Sequence, residues 1–221
     1  MGPLFQDRTD AGRFLARKLK PHAGEPGVIV LALPRGGVPV GYEVARELHA
    51  PLDVFVVRKL GVPGNEELAM GAIGSGGVRV MNEPVVRQLQ ISREVIEAVA
   101  REQEAELARR ERMCRGTRPP ANVEGKKVIL VDDGLATGAT MRAAVEAVRK
   151  RHPAALIVAV PVGAEDTCRD LRGRVDELIC GQTPDPFFSV GTWYSNFLET
   201  TDEEVKRLLD KAGERERSFA E

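Results

Sequence analysis

One stretch of the chain, residues 128–140, constrains the fold more than any other. It begins with VILVD at 128–132, an apolar run that ends in an acidic residue and is typical of a buried strand. A loop of small and hydroxyl residues follows at 133–140. The next segment has an apolar stripe at i, i+3, i+4 and i+7, made of Met141, Ala144, Val145 and Val148. The stretch therefore predicts a strand, a loop and a helix in direct succession.

The same rhythm recurs on both sides of this unit. Short apolar runs that read as strands lie at 28–33, 53–58, 155–160 and 175–180. Continuous apolar strands that alternate with helices are typical of a parallel sheet covered on both faces. The sequence thus predicts an α/β fold built on a doubly wound parallel sheet.

Two segments depart from this rhythm and define the predicted domain organisation. The predicted segments are the first part of the core at 1–62, an insertion at 63–122 and the second part of the core at 123–221, with a small C-terminal hood at about 181–200. The insertion reads as an α+β subdomain with a hairpin near Ala72–Met81. A charged, solvated helix is predicted from about Ser92 to Cys114, because its apolar stripe is thin.

Composition narrows the classes of function. The 32 Lys and Arg residues nearly balance 33 Asp and Glu residues, so no basic field indicates a nucleic acid or an acidic membrane as partner. The apolar runs are too short to span a bilayer, and the N-terminus lacks the apolar region of a signal peptide. Three widely spaced cysteines predict no disulfide framework. We therefore expect a protein of the reducing cytoplasm.

The loop at 133–140 has the features of a phosphate site. A loop that leads into a helix N-terminus presents unpaired backbone N–H groups and the positive end of the helix dipole. Gly138 and Ala139 allow the backbone to approach a ligand closely, and Thr137 and Thr140 add hydroxyl donors. These residues together predict binding of a phosphate group.

Two adjacent carboxylates, Asp132 and Asp133, stand directly before this loop. They would repel the same phosphate, whereas sugar hydroxyls and divalent cations both accept carboxylate contacts. A ligand that carries a phosphate, a diol and a metal ion satisfies all these groups at once. Ribose 5-phosphate has that shape.

Residues 128–140 resemble the signature of type I phosphoribosyltransferases that binds 5-phosphoribosyl-1-pyrophosphate (PRPP). The resemblance implies that Asp132 and Asp133 hold the ribose 2′- and 3′-hydroxyls and Mg²⁺, the implied cofactor. The loop residues that it implies in PRPP binding are Gly134, Ala136, Thr137, Gly138, Ala139 and Thr140. The family resemblance also implies a homodimer.

A second match supports the first at the ends of two other strands. Arg35, Gly36 and Gly37 follow the strand at 28–33, where this family places a loop that binds pyrophosphate. Arg58 and Lys59, at the end of the next predicted strand, resemble a further pair that contacts pyrophosphate. The resemblance therefore makes Arg35 and Lys59 catalytic candidates beside the two aspartates. Three polar residues of the insertion are candidates for closing over PRPP: Glu66, Glu67 and Arg79.

The aromatic-rich segment 184–194 resembles the base-binding segment of hypoxanthine-guanine phosphoribosyltransferases. The base-binding candidates are Phe187, Phe188, Val190 and Trp193. Aromatic rings suit this role because any base presents a π-face. The alternative is that these rings pack beneath the C-terminal helix.

The sequence departs from the hypoxanthine-guanine pattern at Ala136, where those enzymes carry an Asp that is thought to move a proton on the base. The expected activity is the Mg²⁺-dependent transfer of the phosphoribosyl group from PRPP to a nitrogenous base, with release of pyrophosphate. A purine is favoured over a pyrimidine as acceptor. A regulatory protein that binds PRPP or a nucleotide without turnover stays open as an alternative. A dinucleotide oxidoreductase is disfavoured, because it leaves 132–140 unexplained.

Overall fold

The computed structural model describes residues 2–220, with side chains as far as residue 217. The strands are β1 Val28–Ala32, β2 Leu52–Val54, β3 Val57–Val62, β4 Asn65–Gly74, β5 Val78–Met81, β6 Lys127–Val131, β7 Ala155–Val162 and β8 Glu177–Gln182. The helices are α1 Arg8–Lys18, α2 Gly37–Leu48, α3 Glu83–Gln88, α4 Arg93–Arg115, α5 Ala139–Arg149, α6 Glu165–Arg172 and α7 Asp202–Ala220.

A five-stranded parallel sheet in the order β2-β1-β6-β7-β8 forms the centre of the molecule. β1 and β6 are neighbours, with Val30 opposite Ile129 and Ala32 opposite Val131. Their carboxyl ends therefore lie side by side at one edge of the sheet. The order of the strands places the loops after β1 and β6 next to each other.

Helices cover both faces of this sheet. Along β1, Val28, Val30 and Ala32 face a core that includes side chains of α1, α2 and α7. The intervening residues, such as Ile29 and Leu31, face a second core that includes side chains of α5 and α6. The predicted doubly wound parallel sheet is confirmed. The predicted apolar stripe of α5 is also confirmed, because all four of its residues are buried.

The strand predicted at 53–58 is two strands that belong to different sheets. β2 pairs with β1, and β3 pairs antiparallel with β4. Between them the N–H of Val56 donates to Ser75 Oγ at 2.9 Å, and the N–H of Ser75 donates to the Val56 carbonyl at 2.9 Å. These bonds draw the chain out of the parallel sheet, which periodicity alone does not reveal.

β3, β4 and β5 form a three-stranded antiparallel sheet. The hairpin predicted near Ala72–Met81 corresponds to β4 and β5, whose turn contains Gly76 and Gly77 at φ of +84° and +75°. β3 lies before residue 63, so this sheet spans the predicted boundary between the core and the insertion. The division of the chain into 1–62, 63–122 and 123–221 stays a prediction.

The charged helix is confirmed as α4, and Ser92 caps it by accepting the N–H of Val95 at 3.4 Å. Its C-terminal end is buried rather than solvated. Arg115 is only 5% exposed, donates to the Val54 carbonyl at 2.7 Å and pairs with Asp53 at 3.2 Å. A buried charge needs such partners, and they fix the end of α4 against β2.

The cysteines among the described residues are free, although the sulfur atoms of Cys168 and Cys180 lie 2.7 Å apart. The last helix, α7, is capped by Thr201, whose Oγ1 accepts the N–H of Glu204 at 3.1 Å. Within residues 2–220, none of the helices has the length and apolar character needed to cross a membrane.

Candidate functional site

The loops that follow β1 and β6 touch each other, and glycine makes that contact possible. A Cβ atom on Gly36 would lie 2.0 Å from Asp133 Oδ2. A Cβ atom on Gly37 would lie 2.8 Å from the Val131 carbonyl oxygen and 3.1 Å from Asp132 Oδ1. Neither position has room for a side chain. The structure therefore brings together two of the sequence-predicted groups, Gly36 and Gly37 with Asp132 and Asp133.

Asp132 and Asp133 form a crowded acidic pair. The N–H of Asp133 donates to Asp132 Oδ1 at 2.8 Å. Burial raises the pKa of Asp132 well above its ordinary value, and the charge of Asp133 raises it further. Burial also raises the pKa of Asp133, although the Arg8 guanidinium opposes that shift. Two carboxylates that are costly to ionise side by side favour a bound cation or hydroxyl donors.

The phosphate loop, which we define as residues 134–140, leads into α5. Gly138 takes the left-handed conformation at φ +73° and is the N-cap of α5, so the helix begins at Ala139. Thr137 and Thr140 are exposed at this helix start. The structure thus places the residues predicted to bind phosphate around the N-terminus of α5, which has no side-chain cap. Backbone N–H groups at such a position favour an anion.

Two side chains outside the motif support the phosphate loop from behind. Thr167 Oγ1 donates to the Ala136 carbonyl at 2.7 Å, and Arg142 Nη2 donates to the Thr137 carbonyl at 2.8 Å. Sequence reasoning missed both. Arg142 lies in the first turns of α5, five positions after Thr137, so its closeness in sequence could have indicated the contact. Thr167 lies on α6, 31 positions after Ala136, and carries no such signal.

A second support surrounds Asp133 and comes from both ends of the chain. We call it the hood clamp and define it as residues 4–8 together with 190–198. Its two segments are joined by backbone bonds, from Phe5 N–H to the Trp193 carbonyl at 3.0 Å and from Ser195 N–H to the Phe5 carbonyl at 2.8 Å. The Tyr194 hydroxyl donates to the Asp133 carbonyl at 2.5 Å.

Arg8 is the residue of the hood clamp that reaches the acidic pair. Its Nε donates to Asp133 Oδ2 at 2.8 Å, and its Nη1 donates to the Leu198 carbonyl at 2.6 Å. The guanidinium carbon lies 3.9 Å from the centre of the Phe197 ring. No local pattern in the sequence indicates this role, because Arg8 simply follows a helix cap at Asp7.

The remaining basic candidates point to other partners. Arg35 follows a cis peptide bond with Pro34 and pairs with Glu199 and Asp202 rather than with the acidic pair. Arg58 donates to Gln103 at 3.1 Å. Lys59 pairs with Glu67 at 3.3 Å. Glu66 lines a cleft of about 440 Å³ together with Arg58 and Lys59, and Arg79 pairs with Glu97 and Glu104 on α4.

The four base-binding candidates occupy different positions in the hood. Val190 packs against Gly134, where a Cβ atom would lie 2.4 Å from Val190 Cγ1. Phe187 packs on Trp193, with 6.3 Å between the ring centres. Trp193 is buried in an aromatic cluster with Phe5. Phe188 is 80% exposed. Of the four, Val190 is the one whose contact with the phosphate loop is established, through Gly134.

Comparison with known proteins identifies the family. The profile of the phosphoribosyl transferase domain matches residues 5–195. That match covers most of the chain and includes both loops of the site. The chain belongs to the phosphoribosyltransferase family.

Two relatives from Mycobacterium tuberculosis, strains CDC 1551 / Oshkosh and ATCC 25618 / H37Rv, are each named "Putative phosphoribosyl transferase". Each is 49% identical over 218 residues, which is 99% of this chain and 48% of the relative. The chain therefore spans about half the length of these curated relatives. The crystal structure of TT1426 from Thermus thermophilus matches with a TM-score of 0.85 and 42% identity, over 96% of this chain and 99% of that one.

Proposed function

We propose that this protein transfers the 5-phosphoribosyl group from PRPP to a nitrogenous base and releases pyrophosphate. One observation carries the proposal: the loop after β1 lies against the acidic pair that opens the phosphate loop, with Gly36 and Gly37 packed on Asp133 and Asp132. PRPP carries its pyrophosphate on ribose C1 and its phosphate on C5, so it needs two anion sites on either side of a site for the ribose hydroxyls. The two loops and the acidic pair supply that arrangement.

PRPP binding is assigned to three groups of residues. The 5′-phosphate would accept bonds from backbone N–H groups and hydroxyls at the start of α5, where Thr137 and Thr140 are exposed. The ribose hydroxyls would donate to Asp132 and Asp133. Pyrophosphate would lie on the backbone of Arg35, Gly36 and Gly37. Positioning of this kind is the main task of a site whose substrate carries its own leaving group.

The acidic pair also fits Mg²⁺, the proposed cofactor. Asp132 and Asp133 are adjacent carboxylates, and burial makes it costly to ionise both without a cation. Mg²⁺ would supply charge neutralisation to the pyrophosphate group. The chain itself contributes the carboxylate oxygens that would hold the ion.

The chemistry asks the protein to stabilise a leaving pyrophosphate. The bond between ribose C1 and the pyrophosphate oxygen breaks with its electron pair on the oxygen, and a nitrogen of the base forms the new bond to C1. Backbone donors that face the departing oxygens act where charge develops, and such a donor is typically worth roughly 3–4 kcal/mol of the barrier. Arg35 would join them by exchanging Glu199 and Asp202 for pyrophosphate. Lys59, now paired with Glu67, would have to make a similar exchange.

The acceptor is proposed to be a base, with a purine favoured over a pyrimidine. Val190 on Gly134 and the Phe187–Trp193 pair offer apolar surface beside the ribose site, and the exposed ring of Phe188 offers a π-face. The exposed Ala136 supplies no carboxylate for a proton of the base. This favours acceptors that need no such group. Nucleotide salvage in the cytoplasm by a homodimer is part of the same proposal.

A calorimetric titration with PRPP, with and without Mg²⁺, tests the ligand assignment. The test variant is Asp132→Asn with Asp133→Asn, which keeps shape and removes both charges. The matched control is Glu47→Gln with Glu124→Gln, because both glutamates are exposed and lie outside the two loops. We expect Mg²⁺-dependent binding in the natural protein and the control, and none in the test variant. Absence of binding at millimolar PRPP in the natural protein would refute the proposal.

Product analysis separates the transferase from a regulator that only binds PRPP. The protein is incubated with PRPP, Mg²⁺ and single bases, and nucleoside monophosphate and pyrophosphate are measured together. We expect equal amounts of both products with at least one purine. Tight PRPP binding without product across purines and pyrimidines would favour the regulator.

A further inference from the structure

Arg8 is held in place by more than its ion pair with Asp133. The segment before it is fixed to the hood through the bonds of Phe5, and α1 begins with a cap in which Asp7 Oδ1 accepts the N–H of Asp10 at 2.8 Å. The guanidinium itself donates to the Leu198 carbonyl and stacks on Phe197. The Arg8 side chain is 12% exposed and that of Asp133 is 15% exposed. This differs from an exposed ion pair, whose long side chains lose entropy on pairing and gain little.

The ion pair settles which oxygen of Asp133 is engaged. Oδ2 accepts the Arg8 Nε–H at 2.8 Å, and Oδ1 of Asp132 accepts the backbone N–H of Asp133 at 2.8 Å. Each carboxylate therefore has one oxygen bound by a protein donor. The second oxygen of each is the one that a ligand can use. Arg8 also limits rotation of the Asp133 carboxylate, because its own position is fixed by Leu198 and Phe197.

We propose that Arg8 is a positioning residue for the ribose of the substrate: it orients the Asp133 carboxylate so that its second oxygen accepts a ribose hydroxyl. The inference rests on the proposed function, because it takes the acidic pair as the ribose site. Arg8 acts through Asp133 and holds no reacting atom. It joins the N-terminal segment of the chain to the acidic pair, which lies 125 positions further along the sequence at Asp133.

The opposite role would be a latch that covers Asp133 until the substrate displaces it. The contacts of Arg8 disfavour a latch, since leaving Asp133 would also break its bond to Leu198 and its stacking on Phe197. Gly36 adds a further constraint, because a Cβ atom there would lie 3.2 Å from Arg8 Nε. Arg8 is thus packed between the two loops. The two roles predict opposite signs: removing a positioning residue weakens ribose binding, and removing a latch strengthens it.

The test compares two ligands that share the phosphate loop and differ in the ribose. Ribose 5-phosphate and inorganic phosphate are titrated into the full chain, and the ratio of their affinities measures what the ribose site contributes. Two variants are compared. Arg8→Met keeps the length of the side chain and removes its charge. Arg8→Lys keeps the charge and loses the planar guanidinium, which has several N–H donors. Arg17→Met is the matched control, because Arg17 lies on the exposed side of the same helix.

We expect Arg8→Met to lower the affinity for ribose 5-phosphate by about tenfold or more, which corresponds to about 1.4 kcal/mol. The affinity for inorganic phosphate should change little, because phosphate makes no use of Asp133. Arg8→Lys should give an intermediate ratio, and it keeps the test valid if the Met variant does not fold. The Arg17→Met control should match the natural protein.

Three results would overturn the inference. Unchanged affinities for both ligands in Arg8→Met mean that Asp133 needs no orientation, and a higher ratio means that Arg8 is a latch. Equal losses for both ligands in Arg8→Met and Arg8→Lys mean that Arg8 only maintains the structure. If the natural protein itself binds ribose 5-phosphate no better than phosphate, the ribose site is absent and the proposed function fails first.

Discussion

The phosphate loop and the hood clamp support neighbouring parts of one site in different ways. The phosphate loop is contiguous in sequence, and its donors are set by Gly138 and the start of α5. The hood clamp assembles around Asp133 from residues near both ends of the chain, with Arg8 lying 125 positions before its partner. The anion site proposed for the first rests mainly on local backbone geometry. The second depends on the completed fold, so substitutions should affect the two regions differently.

The largest effect is expected where both regions meet, at Gly36. In Gly36→Ala the new Cβ atom would lie 2.0 Å from Asp133 Oδ2, so the carboxylate that Arg8 holds must move. We expect PRPP affinity to fall by about a hundredfold or more, because contacts to charged groups are lost on both sides of the ribose. Calorimetric titration measures the loss. Gly173→Ala is the control, since the nearest atom to its Cβ would be 3.9 Å away. Binding by Gly36→Ala at the natural affinity would show that the loops separate freely.

The next largest effect is expected within the hood, where substitutions of Phe187 and Phe188 should have different consequences. Phe187 packs on Trp193 and Phe188 is 80% exposed. We expect Phe187→Ala to lower the free energy of unfolding by about 2 kcal/mol, because it removes a partly buried ring. Phe188→Ala should leave stability within about 0.5 kcal/mol and raise the KM of the base about fivefold. Urea unfolding and steady-state kinetics on both variants check this. If Phe188→Ala leaves the KM unchanged, Phe188 is not a base contact.

A smaller effect is expected from the support behind the phosphate loop. Thr167→Val removes the bond from Oγ1 to the Ala136 carbonyl and keeps the methyl group that packs near Gly138. One neutral hydrogen bond is typically worth about 1 kcal/mol, so PRPP affinity should fall about fivefold. The matched control is Thr117→Val, at an exposed position. An effect as large as that of Gly36→Ala would mean that α6 determines the conformation of the loop.

The same contrast explains how far the sequence predicted the site. The strand, the loop and the helix at 128–140 could be identified because their apolar spacing and small residues are local signals. Gly36 and Gly37 could be paired with Asp132 and Asp133 because parallel strands end at one edge. Arg8 and Thr167 could not be found, since their partners are set by tertiary packing.

The basic and aromatic candidates were predicted from residue type, but tertiary packing determined their partners. Arg35, Arg58 and Lys59 have suitable charge, but their partners depend on where α4, α7 and β4 lie. The strand predicted at 53–58 is two strands, because Val56 between them pairs with Ser75, nearly twenty residues later in the chain. The three aromatic candidates close in sequence did not share one role, since Trp193 is buried and Phe188 is exposed.

The smallest effect concerns the cost of keeping Asp132 charged. Burial raises its pKa in the folded protein, whereas an unfolded aspartate ionises near pH 3.9. Between these two pKa values the folded state binds more protons than the unfolded state, so the free energy of unfolding falls as pH rises. Above the folded pKa the full cost of the buried charge is present.

Asp132→Asn carries no such cost and keeps an oxygen for the Asp133 N–H. We expect this variant to have the higher free energy of unfolding at pH 7.5, because the buried charge that opposes folding is gone. Urea unfolding in EDTA from pH 4 to pH 8 measures it, and the difference should vanish at the acid end. A variant less stable than the natural protein at pH 7.5 would show that the Asp132 charge is compensated within the chain, which would weaken the case for a cation at the acidic pair.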